Sequence, residues 1–186
     1  MSFVLSQYWD RRYRKGVGSG AGSRGLEARE KAEIVNHIIR RAGIQSVLDV
    51  GVGDGVVSEM IDAPAGYVGY DISETAISLC REMMPDRTFT TTLPAGDFDL
   101  IISMDVIFHL VNEDDYQAHL ALLFGPSPEI GRRAVLVYAT NHDERGAAHV
   151  LHRKWTNDVP PTWSLTAQWR SRSDKRKSFW LLEEDT

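Results

Sequence analysis

The sequence holds one cysteine, Cys80, which excludes an intramolecular disulfide and a cysteine-rich zinc centre. No stretch approaches the roughly 18 apolar residues of a membrane span. The N-terminal MSFVLSQYWDRRYR has too short an apolar part for a signal-peptide core, and no small-residue cleavage site follows it. A lone thiol suits a reducing compartment, so a cytoplasmic location with no membrane partner is expected. Positive charge is not in excess either. The net charge of −5 argues against a bulk binder of nucleic acid. The pattern G-x-x-x-x-G-K-[ST] is missing, which excludes a P-loop NTPase. Internal repeats and low-complexity tracts are also missing.

What is present suits one domain with a real core: 186 residues, 42% apolar and 25% charged. The glycine total of 15 is ordinary, but its distribution is not. Gly16, Gly18, Gly20, Gly22 and Gly25 form one cluster, and Gly51, Gly53 and Gly55 another. Residues 1–25 are aromatic, basic and glycine-rich with little periodicity. Helical spacing of Ile34, Val35, Ile38, Ile39 and Ala42 predicts a helix over 26–42, capped by Gly43. Buried strands are predicted at 46–50, 67–70, 98–103 and 134–138, with a short one at 87–91. Helices are predicted after Gly55, from Ser73 to about residue 84, and from Asn112, where Glu113, Asp114 and Asp115 suit the helix dipole. Cys80 reads as a small buried apolar residue in the second of these. A further helix is expected from about Ala147. Two closing strands, 163–169 and 178–182, flank a polar turn at 170–177. Continuous apolar strands alternating with helices indicate a parallel sheet covered on both faces, to which the closing hairpin adds an antiparallel edge strand.

The second glycine cluster lies between a predicted strand and a predicted helix, as Asp49-Val-Gly51-Val-Gly53-Asp54-Gly55. Glycines there let the chain turn sharply and let a ligand lie against the backbone. Asp71 ends the next strand, where a carboxylate can accept hydrogen bonds from both hydroxyls of a ribose. The pair predicts a nucleoside-cofactor site. A nicotinamide dinucleotide usually asks for G-x-G-x-x-G. Here the spacing is G-x-G-x-G behind an acid, Asp49, which would repel a pyrophosphate but suits a cofactor with an amino group and a sulfonium. The plainer alternative is a sharp turn with Asp71 as a helix cap.

The segments VLDVGVGDG (47–55), YVGYD (67–71) and FDLIIS (98–103) resemble motifs of class I S-adenosylmethionine-dependent methyltransferases, over roughly residues 30–140. The resemblance implies a Rossmann-like α/β three-layer sandwich whose seven-stranded, mostly parallel sheet has an antiparallel last strand. It implies S-adenosyl-L-methionine as cofactor and S-adenosyl-L-homocysteine as product. It places Asp49, Gly51 and Gly53 at the methionine moiety, Asp71 at the ribose, and Thr91 and Leu93 near the adenine. Ile72, Ser103 and Asp105 join the expected cofactor contacts.

The acceptor is expected at the loops after the strands at 98–103 and 134–138. Positioning supplies much of the rate of methyl transfer, and a hydroxyl acceptor profits from a general base. In SMDVIFHL (103–110) the candidates are His109 and Asp105; the plainer alternative packs His109 under the next helix and uses Asp105 as a backbone cap. His142 is a third candidate, in a loop that also carries His149, His152 and Arg153. No metal is expected, because the Asp-Asn ligand pair of catechol-type enzymes is absent: Thr140 precedes Asn141. Tyr8, Trp9 and Tyr13 ahead of the first glycine cluster predict a cofactor-covering segment over 1–25, with Tyr8 and Trp9 as cofactor contacts and 26–186 as the methyltransferase domain. The basic runs at 11–15 and 170–177 read as solvated faces. The wider pattern resembles small bacterial and phage methyltransferases.

The expected activity is methyl transfer to an oxygen or nitrogen of a small molecule or glycan. An RNA or protein methyltransferase and a non-catalytic cofactor-binding subunit stay open as alternatives, as does a homodimer. The Asn/Asp-Pro-Pro-Tyr signature of amino-methylating DNA enzymes and the Pro-Cys of covalent cytosine chemistry are both missing.

Overall fold

The computed structural model of the protein describes residues 4–125 and 130–185, and at 130–133 the backbone alone. Two compact units divide the chain, residues 1–95 and 96–186.

The first unit opens on helix α1 (Leu5–Arg14), a 3-10 turn (Ala21–Ser23) and helix α2 (Gly25–Ala42). Gly43, left-handed at φ 66°, caps α2 by donating to Ile39 O. Strand β1 (Ser46–Val50), the single turn α3 (Val56–Glu59), β2 (Gly66–Tyr70), α4 (Glu74–Met83) and β3 (Thr88–Thr90) follow. β1–β2 and β2–β3 pair in parallel. Val35, Val47, Leu48, Tyr67, Ile77 and Phe89 form the buried centre. Ser73 Oγ accepts from Ala76 N and so caps α4.

The second unit contains β4 (Gly96–Met104), a 3-10 turn (Ile107–His109), α5 (Glu113–Phe124) and β5 (Ile130–Ala139). After them come the two-residue strands β6 (Glu144–Arg145) and β7 (Leu151–His152), a 3-10 turn (Trp155–Asp158), β8 (Trp163–Arg170) and β9 (Ser178–Glu184). Asn112 caps α5 by accepting from Asp114 N. β4 and β5 pair in parallel, while β9 runs antiparallel to both β5 and β8. The seven long strands form one sheet in the order β3-β2-β1-β4-β5-β9-β8. This is the mostly parallel α/β arrangement with one antiparallel strand that the sequence predicts, except that the antiparallel strand β9 is interior and β8 takes the edge.

Three further expectations change. Residues 5–14 are helical although they read as irregular: Trp9 stacks on Tyr13 at 5.9 Å, and Asp10 binds the start of α4. The expected helix from Ala147 is absent. There Glu144 and Arg145 pair with His152 and Leu151, and fully buried Trp155 donates to Thr140 O at 3.1 Å. Anchoring that indole overrides local helix preference. Lastly, Lys177 is not solvated; it is 8% exposed. Among the described residues, no helix is long and apolar enough to cross a membrane.

Candidate active site

In the first unit, β1 runs straight into the glycine turn. Gly51, Gly53 and Gly55 adopt φ of 78°, 61° and 80°, a region that L side chains reach only with strain. Gly51 N and Val52 N both donate to Tyr70 O (2.8 and 3.1 Å), so the turn is tied to the end of β2. Asp71 stands at that end, 7% exposed. Its two oxygens accept from Gly53 N (3.0 Å) and Ser73 N (2.9 Å). Burial pushes its carboxyl up to about 6. Each oxygen keeps a second lone pair, which suits a diol ligand.

Asp49 is 3% exposed and points elsewhere. It accepts from Ser58 Oγ (2.9 Å) and Tyr67 OH (2.6 Å). Burial raises its pKa, and these two bonds oppose the rise. The sequence suggested a carboxylate facing an amino group; its bonds run instead to α3 and β2, where it braces the turn. Thr91 donates to Glu74 at 2.9 Å, Leu93 is 40% exposed and Ile72 is half-buried. Cys80 is buried, as expected; its thiol donates to Gly53 O at 3.2 Å, and burial pushes it up to about 12.

The N-terminal segment lies against this turn. Asp10 accepts from Ser73 Oγ (3.0 Å), Thr75 N (3.1 Å) and Thr75 Oγ1 (2.8 Å), and the Thr75 bonds hold its pKa low. Further on, Ser19 N and Oγ donate to Asp54 (3.0 and 2.9 Å), and Arg24 pairs with both oxygens of the same carboxylate. Burial would raise the Asp54 pKa, but these bonds outweigh it and hold it below the usual range. Between the two anchors, Tyr13 OH meets Ser19 Oγ at 3.1 Å. A Cβ at Gly53 would stand 2.4 Å from Ser19 Oγ and 3.1 Å from Tyr13 OH. Residues 10–24 are thus a strap fastened across the glycine turn. Tyr8 and Trp9 sit edge-to-face at its start, 5.3 Å apart. Ser19, Arg24, Asp54 and Asp10 are the residues that sequence reasoning missed. The signal available was an acid inside the glycine turn facing a serine- and glycine-rich segment with an arginine.

In the second unit, Ser103 is the last residue but one of β4, and its hydroxyl bonds His119 Nε2 at 2.9 Å in the core. Burial pushes His119 down to about 4, so it is a neutral core imidazole. Asp105 follows at φ 60°, the non-glycine residue with positive φ among those described. Its N–H donates to Tyr138 O at 2.9 Å, and its carboxylate meets Lys177 Nζ at 2.9 Å. The 3-10 turn then presents Phe108 and His109. His109 Nδ1 lies 2.9 Å from His149 O. A carbonyl only accepts, so Nδ1 carries a proton, and in the neutral ring the lone pair is then on Nε2.

Five rings follow one another: His149 to His109 (5.7 Å), His109 to Phe108 (4.7 Å), Phe108 to His152 (5.3 Å) and His152 to His142 (5.2 Å). His109 and His142 therefore belong to one ring cluster at the ends of β4 and β5, and Asp105 joins it through Lys177, whose Nζ stands 5.5 Å from the centre of the Phe108 ring. His142 Nε2 also faces Glu144 at 3.1 Å. His152 bonds Thr140 at 2.7 Å, and burial, with His142 next to it, lowers its pKa. A cavity of about 570 Å³ opens next to this cluster, lined by Glu144, Arg145, His152, Arg153 and Asp158 among others.

Residues 47–124 match a family described as a methyltransferase domain. Over those residues the chain resembles a methyltransferase domain. Its sheet topology is that of the class I, S-adenosylmethionine-dependent methyltransferases. No curated protein matches it in sequence. Among solved structures it is similar to the N-methyltransferase NodS of Bradyrhizobium japonicum WM9, in complex with S-adenosylhomocysteine. There the identity is 11%, covering 98% of this chain and 99% of that one, with TM-score 0.74. It is also similar to magnesium protoporphyrin IX methyltransferase of Synechocystis PCC 6803 with bound S-adenosylmethionine: 18% identity, 97% and 95% covered, TM-score 0.67. The 16S rRNA methylase RmtB gives 15% identity, 97% and 74% covered, TM-score 0.61. At these identities the likeness concerns the fold. The family match spans both the glycine turn and the 3-10 turn that carries His109.

Proposed function

We propose that the protein transfers a methyl group from S-adenosylmethionine to an oxygen or nitrogen of a small molecule or a sugar, and that His109 is the general base. The observation that carries this is the His109–His149 bond. It fixes the neutral tautomer whose Nε2 can take a proton from an acceptor O–H or N–H. When bound, S-adenosylmethionine supplies an electrophilic methyl on a positive sulfonium. The donor set of the first unit fits it: bare backbone at Gly51 and Gly53 for the methionine part, and the spare lone pairs of Asp71 for the ribose hydroxyls. Ile72, Thr91 and Leu93 would flank the adenine. The strap, with Tyr8, Trp9 and Tyr13, would exclude water and open for exchange. Asp49 holds the turn in shape. Asp105 and His142 frame the acceptor cluster.

Isothermal titration with S-adenosylmethionine tests the cofactor; no binding, or binding of a dinucleotide in its place, overturns the reading. Methyl-labelled cofactor with separate metabolite, glycan, RNA and protein fractions tests the acceptor. Label in the metabolite or glycan fraction is expected, and label confined to RNA or protein overturns the substrate class.

A further inference from the structure

Lys177 carries a buried ammonium at the end of the β8–β9 turn, directly before β9. Its Nζ lies 2.9 Å from Asp105 Oδ1 and 3.7 Å from Asp174 Oδ2. It also stands over two rings, 5.5 Å from the centre of Phe108 and 5.2 Å from that of Tyr138. The hairpin turn is built to hold it there. Ser171 N donates to Lys177 O, Lys177 N donates to Asp174 O (both 3.0 Å), and Asp174 N donates to Ser171 Oγ (3.1 Å). Tyr138 OH donates to the same Ser171 Oγ at 3.1 Å. Desolvating an ammonium is costly, and a buried ion pair is weak grounds for stability alone. The partner of this one is Asp105, whose left-handed backbone sets the direction of the turn bearing Phe108 and His109. Lys177 thus grips both the carboxylate that opens this turn and a ring within it.

We propose that Lys177 is a positioning residue of the acceptor site. It holds Asp105 and Phe108, and through them the approach of His109 to the acceptor. This rests on the reading of the loop after β4 as the acceptor side.

The test compares Lys177→Met and Lys177→Arg in the full chain. Labelled methyl transfer into a small-molecule extract, followed against extract concentration, should lose at least tenfold in maximal rate in Lys177→Met. S-adenosylmethionine affinity should stay at the wild-type value, Tm should fall because Asp105 loses its buried partner, and Lys177→Arg should recover most of the rate. Wild-type transfer by Lys177→Met overturns the proposal. So does a rate loss matched by an equal loss of S-adenosylmethionine affinity and not recovered in Lys177→Arg, which marks a merely structural role. A second measurement needs no acceptor. The backbone amide resonances of residues 105–109 and the ring nitrogens of His109 should move in Lys177→Met and return in Lys177→Arg; unmoved resonances overturn the proposal. A wild-type chain that binds no S-adenosylmethionine refutes the proposed function instead, and leaves the resonance result standing.

Discussion

The two units place chemistry at the ends of their strands by opposite means. In the first, the turn after β1 is bare backbone. Its positive-φ glycines are held by groups around them: Tyr70 O, the Asp71 carboxylate and the Ser19–Asp54–Arg24 fastening. In the second, the loops after β4 and β5 are crowded with large side chains that hold one another, five rings in succession and an ion pair under them. A backbone surface can accept one shape of ligand closely, whereas a side-chain cluster can change its ligand by exchanging residues. The division matches a constant cofactor and a variable acceptor.

The comparison can be broken at four places, in falling order of effect. His109→Ala should lower turnover by roughly 10²–10⁴, with S-adenosylmethionine affinity unchanged by titration. Unchanged turnover removes His109 as base. Gly53→Ala should do the reverse. The new Cβ collides with Ser19 Oγ at 2.4 Å and crowds the backbone surface offered to the cofactor, which lowers affinity; its left-handed backbone separately costs roughly 1–2 kcal/mol of fold stability, a factor of about 5–30 in the folded/unfolded ratio. Titration should show the loss, with the ring resonances of the second unit unmoved. The third is pH. Burial raises the Asp71 carboxyl from the ordinary 3.8 to about 6. Its anionic form accepts from a diol, so cofactor affinity should be full above pH 7 and fall below 6, by up to about tenfold per pH unit. Asp71→Asn should abolish that dependence. Stability moves the other way. Between the two values the folded state binds a proton that the unfolded state does not, so this group's contribution to stability grows as pH falls. The smallest effect is Arg24→Ala, which loosens a half-exposed pair worth about 1 kcal/mol or less. Limited proteolysis across the first glycine cluster should quicken by roughly two- to fivefold, and the addition of S-adenosylmethionine should slow it again.

Much of the fold was legible because its signals are local. The strands are continuous apolar runs, and Gly43, Ser73 and Asn112 each carry a recognisable cap. What escaped depends on distant partners. The side chains that give α1 its place depend on residues far along the chain: Asp10 meets Thr75, and Tyr13 meets Ser19, which Asp54 holds in turn. Periodicity within 1–25 cannot show either. The stretch after residue 147 has helical residues but is decided by where Trp155 is buried. The glycines and Asp71 could be picked out by spacing; the inward turn of Asp49 could not, since a carboxylate reads alike whether it meets a ligand or Tyr67. Lys177 hid in a basic run, although it shares strand parity with fully buried Phe179, a signal that β alternation offers.

The position of β9 between β5 and β8 has a consequence for biogenesis. As the chain emerges, the edge of β5 that will meet β9 must wait for its partner: Ala139 pairs with Ser178 and Ala134 with Glu183. For the seconds that synthesis of the intervening segment takes, at about 5–20 residues per second, an apolar strand stands with open amides. Such an edge invites pairing with another chain. Nascent copies are therefore most prone to aggregate just before the hairpin closes, and slowing translation beyond residue 140 should lower soluble yield.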